Sequence, residues 1–296
     1  MIVELLKNDL ILFATLVLIF GLFVGSFLNV VIYRLPMMFK REWRKDCCRY
    51  LEENYAVNIQ FKINKEPAEP FNLSKPDSTC PNCGHKIRAW ENIPVISYLF
   101  LQAKCSRCKT AISFRYPFIE LLSAVMAATC AWQFGFSVAG ISAIFLTWAL
   151  IALAWIDYDT QYLPDQITLP FLWLGLLLNL NGTFTDINSA VIGAITGYLI
   201  LWAVHHLFKL LTKKEGMGYG DFKLLSLLGA WMGWQLLPQI IILSSLVGSI
   251  IGISLMIFKN HQRETPIPFG PYLAIAGWIA LLWGHDINQT YLNWIS

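Results

Sequence analysis

Six stretches of this chain carry no Lys, Arg, Asp or Glu: Leu10–Tyr33, Leu121–Ile156, Gln166–Thr185, Ile187–Phe208, Leu224–Phe258 and Thr265–His285. A helix needs about 20 apolar residues to cross a bilayer. The runs of 36 and 35 residues are therefore too long for one crossing each. They are expected to fold back, the first near Phe134–Ser137 and the second near Gly233–Gln235. This gives an all-α polytopic membrane protein of about eight transmembrane helices. With 56% hydrophobic and 14% charged residues, the chain is too apolar for a soluble globule. Its 12 Trp and 11 Tyr suit anchoring at the membrane interface.

The cationic residues orient these spans. Fifteen of the 22 Lys and Arg lie between Arg34 and Arg115. Lys209, Lys213, Lys214, Lys223, Lys259 and Arg263 fall on the same side when eight spans are counted, and Lys7 on the other. The positive-inside rule makes the crowded side cytoplasmic. The first run lacks a small-residue cleavage site and reads as a retained span, not a signal peptide. The expected division is residues 1–34 as first span, 35–115 as a cytoplasmic loop domain and 116–296 as a membrane-embedded domain.

Within the loop, Met37–Tyr55 suits a helix lying on the headgroups or one in solvent, and residues 56–79 are turn-rich, with Pro67, Pro70 and Pro76. Fifteen basic residues against eight acidic ones attract an anionic leaflet. They are scattered without the signature of a nucleic-acid module, so no nucleic-acid partner is expected. Cys80-x2-Cys83 and Cys105-x2-Cys108 offer four thiolates at the spacing of a tetrahedral structural zinc site. A disulfide pairing is the alternative, and a cytoplasmic loop argues against it. This makes the loop zinc-ribbon-like, with metal binding supplying much of its folding free energy. His85 is expected beside the ligands or on the surface; Cys47, Cys48 and Cys130 have no such spacing. Glu91 and Glu120 are expected to cap or to shape turns.

Gly216-Met-Gly-Tyr-Gly-Asp221 opens the fifth of these runs. A carboxyl at the start of a membrane helix costs about 2.5–3.5 kcal/mol if drawn to the bilayer centre, so it needs a partner or a role. The bland reading is a glycine-rich turn whose Asp221 caps the next helix. A second carboxylate changes the balance. Asp157 follows the 36-residue run, with Asp159 and Asp165 close behind. Two spans later the chain returns to the same face at Asp221. Two carboxylates meeting at a partly dry mouth can share a proton, one as general base for water and one as general acid. Asp157 is the least solvated by position. Asp159 reads as a loop residue and Asp165, after Pro164, as a helix cap, supporting the pair at most. Gly218 and Gly220 leave room beside Asp221 for an extended substrate backbone.

Together these motifs resemble the bacterial type IV prepilin peptidases, GxGD-type aspartyl proteases of the membrane. The resemblance runs nearly end to end: GSFLNVVIYRLP at Gly25–Pro36, the paired cysteine motifs, ENIP at Glu91–Pro94, Asp157 with LPD at Leu163–Asp165, GMGYGDFKLL at Gly216–Leu225, and PIPFGP at Pro266–Pro271. It implies cleavage of the basic leader of prepilins and pseudopilins at the cytoplasmic face of the bacterial inner membrane. It also implies N-methylation of the new terminus with S-adenosylmethionine. It places the catalytic pair on Asp157 and Asp221 and the cysteine tetrad on Cys80, Cys83, Cys105 and Cys108. No strand–helix pattern surrounds the glycines, so a nucleotide-type cofactor loop is not read there and no residues are assigned to S-adenosylmethionine. A proton-coupled transporter would want its carboxylates near the midplane. A signal-peptide-peptidase-like enzyme would carry a Pro-Ala-Leu element where Pro266–Pro271 stands.

Overall fold

A computed structural model describes residues 2–55, 71–214, 216–259 and 268–295. Pro67, Pro70, Arg263, Pro266 and Ile267, singled out above, lie outside the described residues. Among the described residues ten α-helices are formed: α1 Ile2–Asn8, α2 Leu10–Tyr55, α3 Ile96–Phe100, α4 Arg115–Phe134, α5 Val138–Thr160, α6 Asp165–Asn179, α7 Ile187–Thr212, α8 Tyr219–Met232, α9 Leu237–Lys259 and α10 Gly270–Ile295. Among the described residues there is no strand, only two isolated β-bridges.

Among the described residues five segments are long and apolar enough to cross a membrane: Leu10–Asn54, Arg115–Phe134, Val138–Thr160, Ile187–Thr212 and Trp234–Ser254. Eight were expected. The remaining apolar runs do form helices, but α6 and α8 have only 15 and 14 residues. At about 1.5 Å per residue, α8 spans roughly 21 Å, short of a hydrocarbon core of about 30 Å. Both long runs fold back where expected. Gly135 and Gly233 supply the turns with φ of +61° and +82°, a region open to glycine and costly to other residues. Met37–Tyr55 is helical but continues α2 through Pro36 instead of forming a separate helix.

The chain forms two compact units, residues 1–18 with 126–296, and residues 19–125. The larger is built around α8, which packs against α6, α7 and α10, with α5 and α9 also against α10. Every residue from Leu224 to Met232 is buried, so α8 is apolar all round, as a central helix must be. Such a helix gains little from hydrophobicity alone within a membrane, and close backbone packing supplies the contact. Gly193 of α7 and Gly229 of α8 abut so tightly that a Cβ on either would strike the other's carbonyl. Buried polar groups add specific ties. Asn179 Nδ2 donates to Ala230 O and Trp231 O, both at 2.9 Å, and Trp231 Nε1 to Phe171 O at 2.7 Å. Cys130 lies buried 3.2 Å from Thr147 Oγ1, which also accepts from Trp278 Nε1 at 3.1 Å. Packing is therefore sufficient to explain this cysteine.

In the smaller unit α2 and α4 touch through backbone. A Cβ on Gly25 would lie 2.6 Å from Glu120 Cα, and Ser123 Oγ donates to Gly21 O at 3.0 Å. Asn29 Nδ2 donates to Gly25 O and Tyr116 O at 3.2 Å. Arg34 is buried and donates to the carbonyls of Asn72, Leu73 and Pro76. Asn29 and Arg34 of the Gly25–Pro36 motif are thus used in holding this unit together. Glu120 is not a cap of its own helix. Its Oε2 accepts the Val95 N–H at 2.8 Å and holds that residue at φ +59°, a conformation unfavourable for a β-branched side chain.

Candidate functional site

Asp157 lies in the last turn of α5 and Asp221 in the first turn of α8, each only 6% exposed. The hairpin of α6 and α7 returns the chain to the turn that follows α5, where Gly220 lies against Leu163, and the charge of Asp157 acts on Asp221. Asp159, two positions beyond Asp157, is exposed. Burial thus separates Asp157 from Asp159, because the apolar run ends one residue before Asp157.

Backbone groups surround both carboxylates. Asp157 Oδ2 accepts the Gly270 N–H at 3.0 Å. Gly270 is the first residue of α10, where N–H groups have no partner within the helix and attract negative charge. A Cβ there would sit 2.6 Å from Asp157 Oδ2, so only glycine lets the backbone come this close. Gly218 is the N-cap of α8 and Asp221 N–H donates to its carbonyl at 3.3 Å. Gly220 faces Leu163, whose Cβ would be 2.8 Å from an added Cβ. The Leu163-Pro164-Asp165 turn thus takes the space expected for substrate beside Gly220, while an added Cβ on Gly218 would meet nothing nearer than 3.9 Å.

Asp165 is not the helix cap. Pro164 holds that position, without a side-chain bond. The Asp165 carboxylate instead accepts from Lys223 Nζ at 2.7 and 2.8 Å through its two oxygens. Sequence reasoning missed Lys223, counted only as a charge on one face, and Gly270, read only as part of a motif. It also missed His205, which is 3% exposed, has both ring nitrogens without a hydrogen-bond partner, and packs against Tyr219 and Phe222 at 5.5 and 5.6 Å. The signal for Gly270 was its place between Phe269 and Pro271; a lone buried histidine has none.

The second candidate site lies in the smaller unit. The sulfurs of Cys80, Cys83, Cys105 and Cys108 all lie within 4.8 Å of one another and could hold a metal ion. Both halves are built alike. Cys80 N–H donates to His85 O and Gly84 N–H to Cys80 O; Cys105 N–H donates to Thr110 O and Lys109 N–H to Cys105 O. Bridges Thr79–Lys86 and Lys104–Ala111 close the two loops. Cys80 Sγ and Cys108 Sγ are 3.7 Å apart. Two Zn–S bonds of about 2.3 Å at a tetrahedral angle place sulfurs about 3.8 Å apart, whereas a disulfide needs about 2.05 Å. The donor set fits zinc.

Local hydrogen bonds prepare the thiols unequally. The Thr110 hydroxyl and backbone, then the Asn82 amide, push Cys108 down to about 5. Backbone N–H groups of Cys83 and Asn82 lower Cys80. The His85 N–H favours the Cys83 thiolate, but burial and the neighbouring sulfurs outweigh it and push that thiol up to about 11. A cation among the four sulfurs would favour all the thiolates at once. His85 is not one of the four ligands. Its Nε2 lies 3.2 Å from Glu91 Oε2, which also accepts the Arg88 N–H at 2.9 Å. The Arg88 N–H, then the Ser106 hydroxyl, hold Glu91 below the usual carboxylate range. Glu91 thus shapes a turn, as expected, and joins the two cysteine loops through His85 and Ser106.

Residues 19–134 match the Bacterial Peptidase A24 N-terminal domain, and residues 144–253 match the Type IV leader peptidase family. The prepilin leader peptidase/N-methyltransferase of Stutzerimonas stutzeri is 52% identical over 98% of this chain and 98% of its own length. Proteins of the same name from Pseudomonas aeruginosa and Neisseria gonorrhoeae are 53% and 47% identical, covering 95% and 93% of this chain and 94% and 92% of their own. No solved structure is significantly similar to it. With likeness of this extent running through both units, the chain belongs to the type IV leader peptidase family, among the prepilin leader peptidase/N-methyltransferases.

Proposed function

We propose that this protein cleaves the leader peptide from type IV prepilins and pseudopilins, with Asp157 and Asp221 as an aspartyl dyad. The observation that carries the assignment is that two buried carboxylates, at the end of α5 and the start of α8, lie within range of each other's charge. Like charges crowded in a dry site favour a state with one proton between them. The ionised member takes a proton from water, and the hydroxide adds to the scissile carbonyl carbon. The protonated member gives its proton to the carbonyl oxygen. As the tetrahedral intermediate collapses, one of its hydroxyls returns a proton to the acid that had protonated the carbonyl oxygen, the C–N bond breaks, and the proton taken from water passes to the leaving amine. The Gly270 N–H occupies one Asp157 oxygen and orients the other. Gly218, with no neighbour nearer than 3.9 Å to an added Cβ, leaves room for the substrate backbone, whereas Gly220 is taken up by Leu163.

In this reading all eight apolar helices, α2, α4, α5, α6, α7, α8, α9 and α10, lie in the bacterial inner membrane, with α8 enclosed by its neighbours and α6 exposing Leu169, Trp173 and Leu177. The cationic residues put the dyad and the cysteine loop on the cytoplasmic side. The division into residues 1–34, 35–115 and 116–296 follows the same spans. The four cysteines would hold a structural zinc ion, whose chemistry is to cross-link the loop. The relatives' names include N-methyltransferase; in this chain S-adenosylmethionine would supply the methyl group for the new pilin terminus. The substrate and the bilayer are the expected partners, and nucleic acid is not.

The test is incubation of the purified protein with a prepilin, reading loss of the leader by mass. Asp157→Asn and Asp221→Asn should each abolish cleavage while membrane insertion stays normal. If Asp157→Asn cleaves normally and Asp159→Asn does not, the pair is wrongly assigned.

A further inference from the structure

We infer that the Lys223–Asp165 ion pair is a strut that sets the separation of the two carboxylates, making both residues positioning residues for cleavage. The inference rests on the assignment of Asp157 and Asp221 as the dyad. Lys223 stands two positions after Asp221 on α8, and Asp165 eight positions after Asp157, at the start of α6. The pair therefore ties the first turn of α8, which carries Asp221, to the start of α6, which the short turn 161–164 joins to the Asp157 end of α5. Residues two apart on a helix face different directions. Lys223 can thus grip α6 while Asp221, on another side of the same turn, meets the charge of Asp157.

Two observations give the pair this role. First, Nζ reaches both carboxylate oxygens, at 2.7 and 2.8 Å, which restrains Asp165 more than a single contact would. Second, the same two segments meet again close by, where Gly220, three positions before Lys223, lies against Leu163, two before Asp165, without room for a Cβ. The apolar contact stops them from approaching, and the ion pair stops them from parting. The paired side chains are 31% and 43% exposed. Pairs that open to solvent add little to global stability, so its loss should be felt in site geometry before it is felt in the fold. Displacement of catalytic groups by about 1 Å can cost on the order of a hundredfold in rate.

The experiment measures kcat and KM for leader cleavage of a purified type IV prepilin in detergent micelles, at one pH. It compares wild type with Asp165→Asn, Lys223→Met and their double variant. It adds the charge-conserving Asp165→Glu and Lys223→Arg, and Asp221→Asn as control. Each charge-removing single variant should lower kcat by roughly ten- to a hundredfold with KM nearly unchanged. The double should match the worse single, since the strut is lost once. The charge-conserving variants should keep at least one-third of the wild-type kcat, and thermal midpoints should stay near wild type. Full activity in Asp165→Asn or Lys223→Met beside a dead Asp221→Asn would overturn the strut and leave the dyad standing. Multiplying losses in the double, a rise in KM alone, or a midpoint falling in step with kcat would also overturn it. An active Asp221→Asn would overturn both readings.

Discussion

Asp157 and Asp159 are two residues apart, yet one is 6% exposed and the other open to solvent. A proton-sharing site needs the first kind of environment, and this contrast is the residue-scale basis for the dyad. Changing both Asp157 and Asp221 to Asn should be no worse than changing either, because neither acid works alone; measured rates that multiply would break the pairing. Gly270→Ala tests the same site without touching a carboxyl. Its Cβ would sit 2.6 Å from Asp157 Oδ2, so the N–H and the carboxylate must part. Cleavage should fall by about ten- to a hundredfold, while protein level and insertion hold. An unchanged rate would show that the Gly270 contact does not orient Asp157. The acid at 157 was legible as the first charge after a long apolar run. Its hydrogen-bond donor, 113 residues later, was not legible, because no local pattern links the two.

At the scale of elements, α8 is the most demanding. It is short, buried around its circumference and held to α7 by glycine against glycine. Gly229→Leu should force the two backbones apart. Overpacking typically costs about 1–3 kcal/mol and occasionally more, and contact between backbones leaves little to yield. The thermal midpoint in detergent should drop clearly and cleavage with it. A midpoint within error of wild type would show that α7 and α8 do not pack as described. The turns between α4 and α5 and between α8 and α9 could be anticipated, since a run of 35 or 36 residues exceeds one crossing. The shortness of α6 and α8 could not. Hydropathy counts apolar residues and is blind to whether lipid or protein covers them. About eight spans were expected; among the described residues five segments meet the length and hydropathy of a span.

At the scale of the whole molecule, two predictions separate the loop from the membrane unit. The purified protein should hold about one zinc per chain, as a four-thiolate site does. Cys80→Ser should lower the metal content and make residues 71–114 easier to proteolyse. Full metal retention in that variant would exclude the tetrad as the site. In intact cells a membrane-impermeant thiol reagent should leave the loop cysteines unlabelled; labelling from outside would reverse the orientation. The sequence by itself determined the membrane class, the cysteine tetrad and the candidate carboxylates, because hydropathy, ligand spacing and charge are properties of short stretches. Only the tertiary structure decided that α8 lies enclosed, that Gly270 holds Asp157 and that Asp165 serves Lys223 instead of capping a helix. Each of these joins residues distant in sequence, and the meeting exists only once the helices have packed and the cost of ordering them has been met by many contacts together.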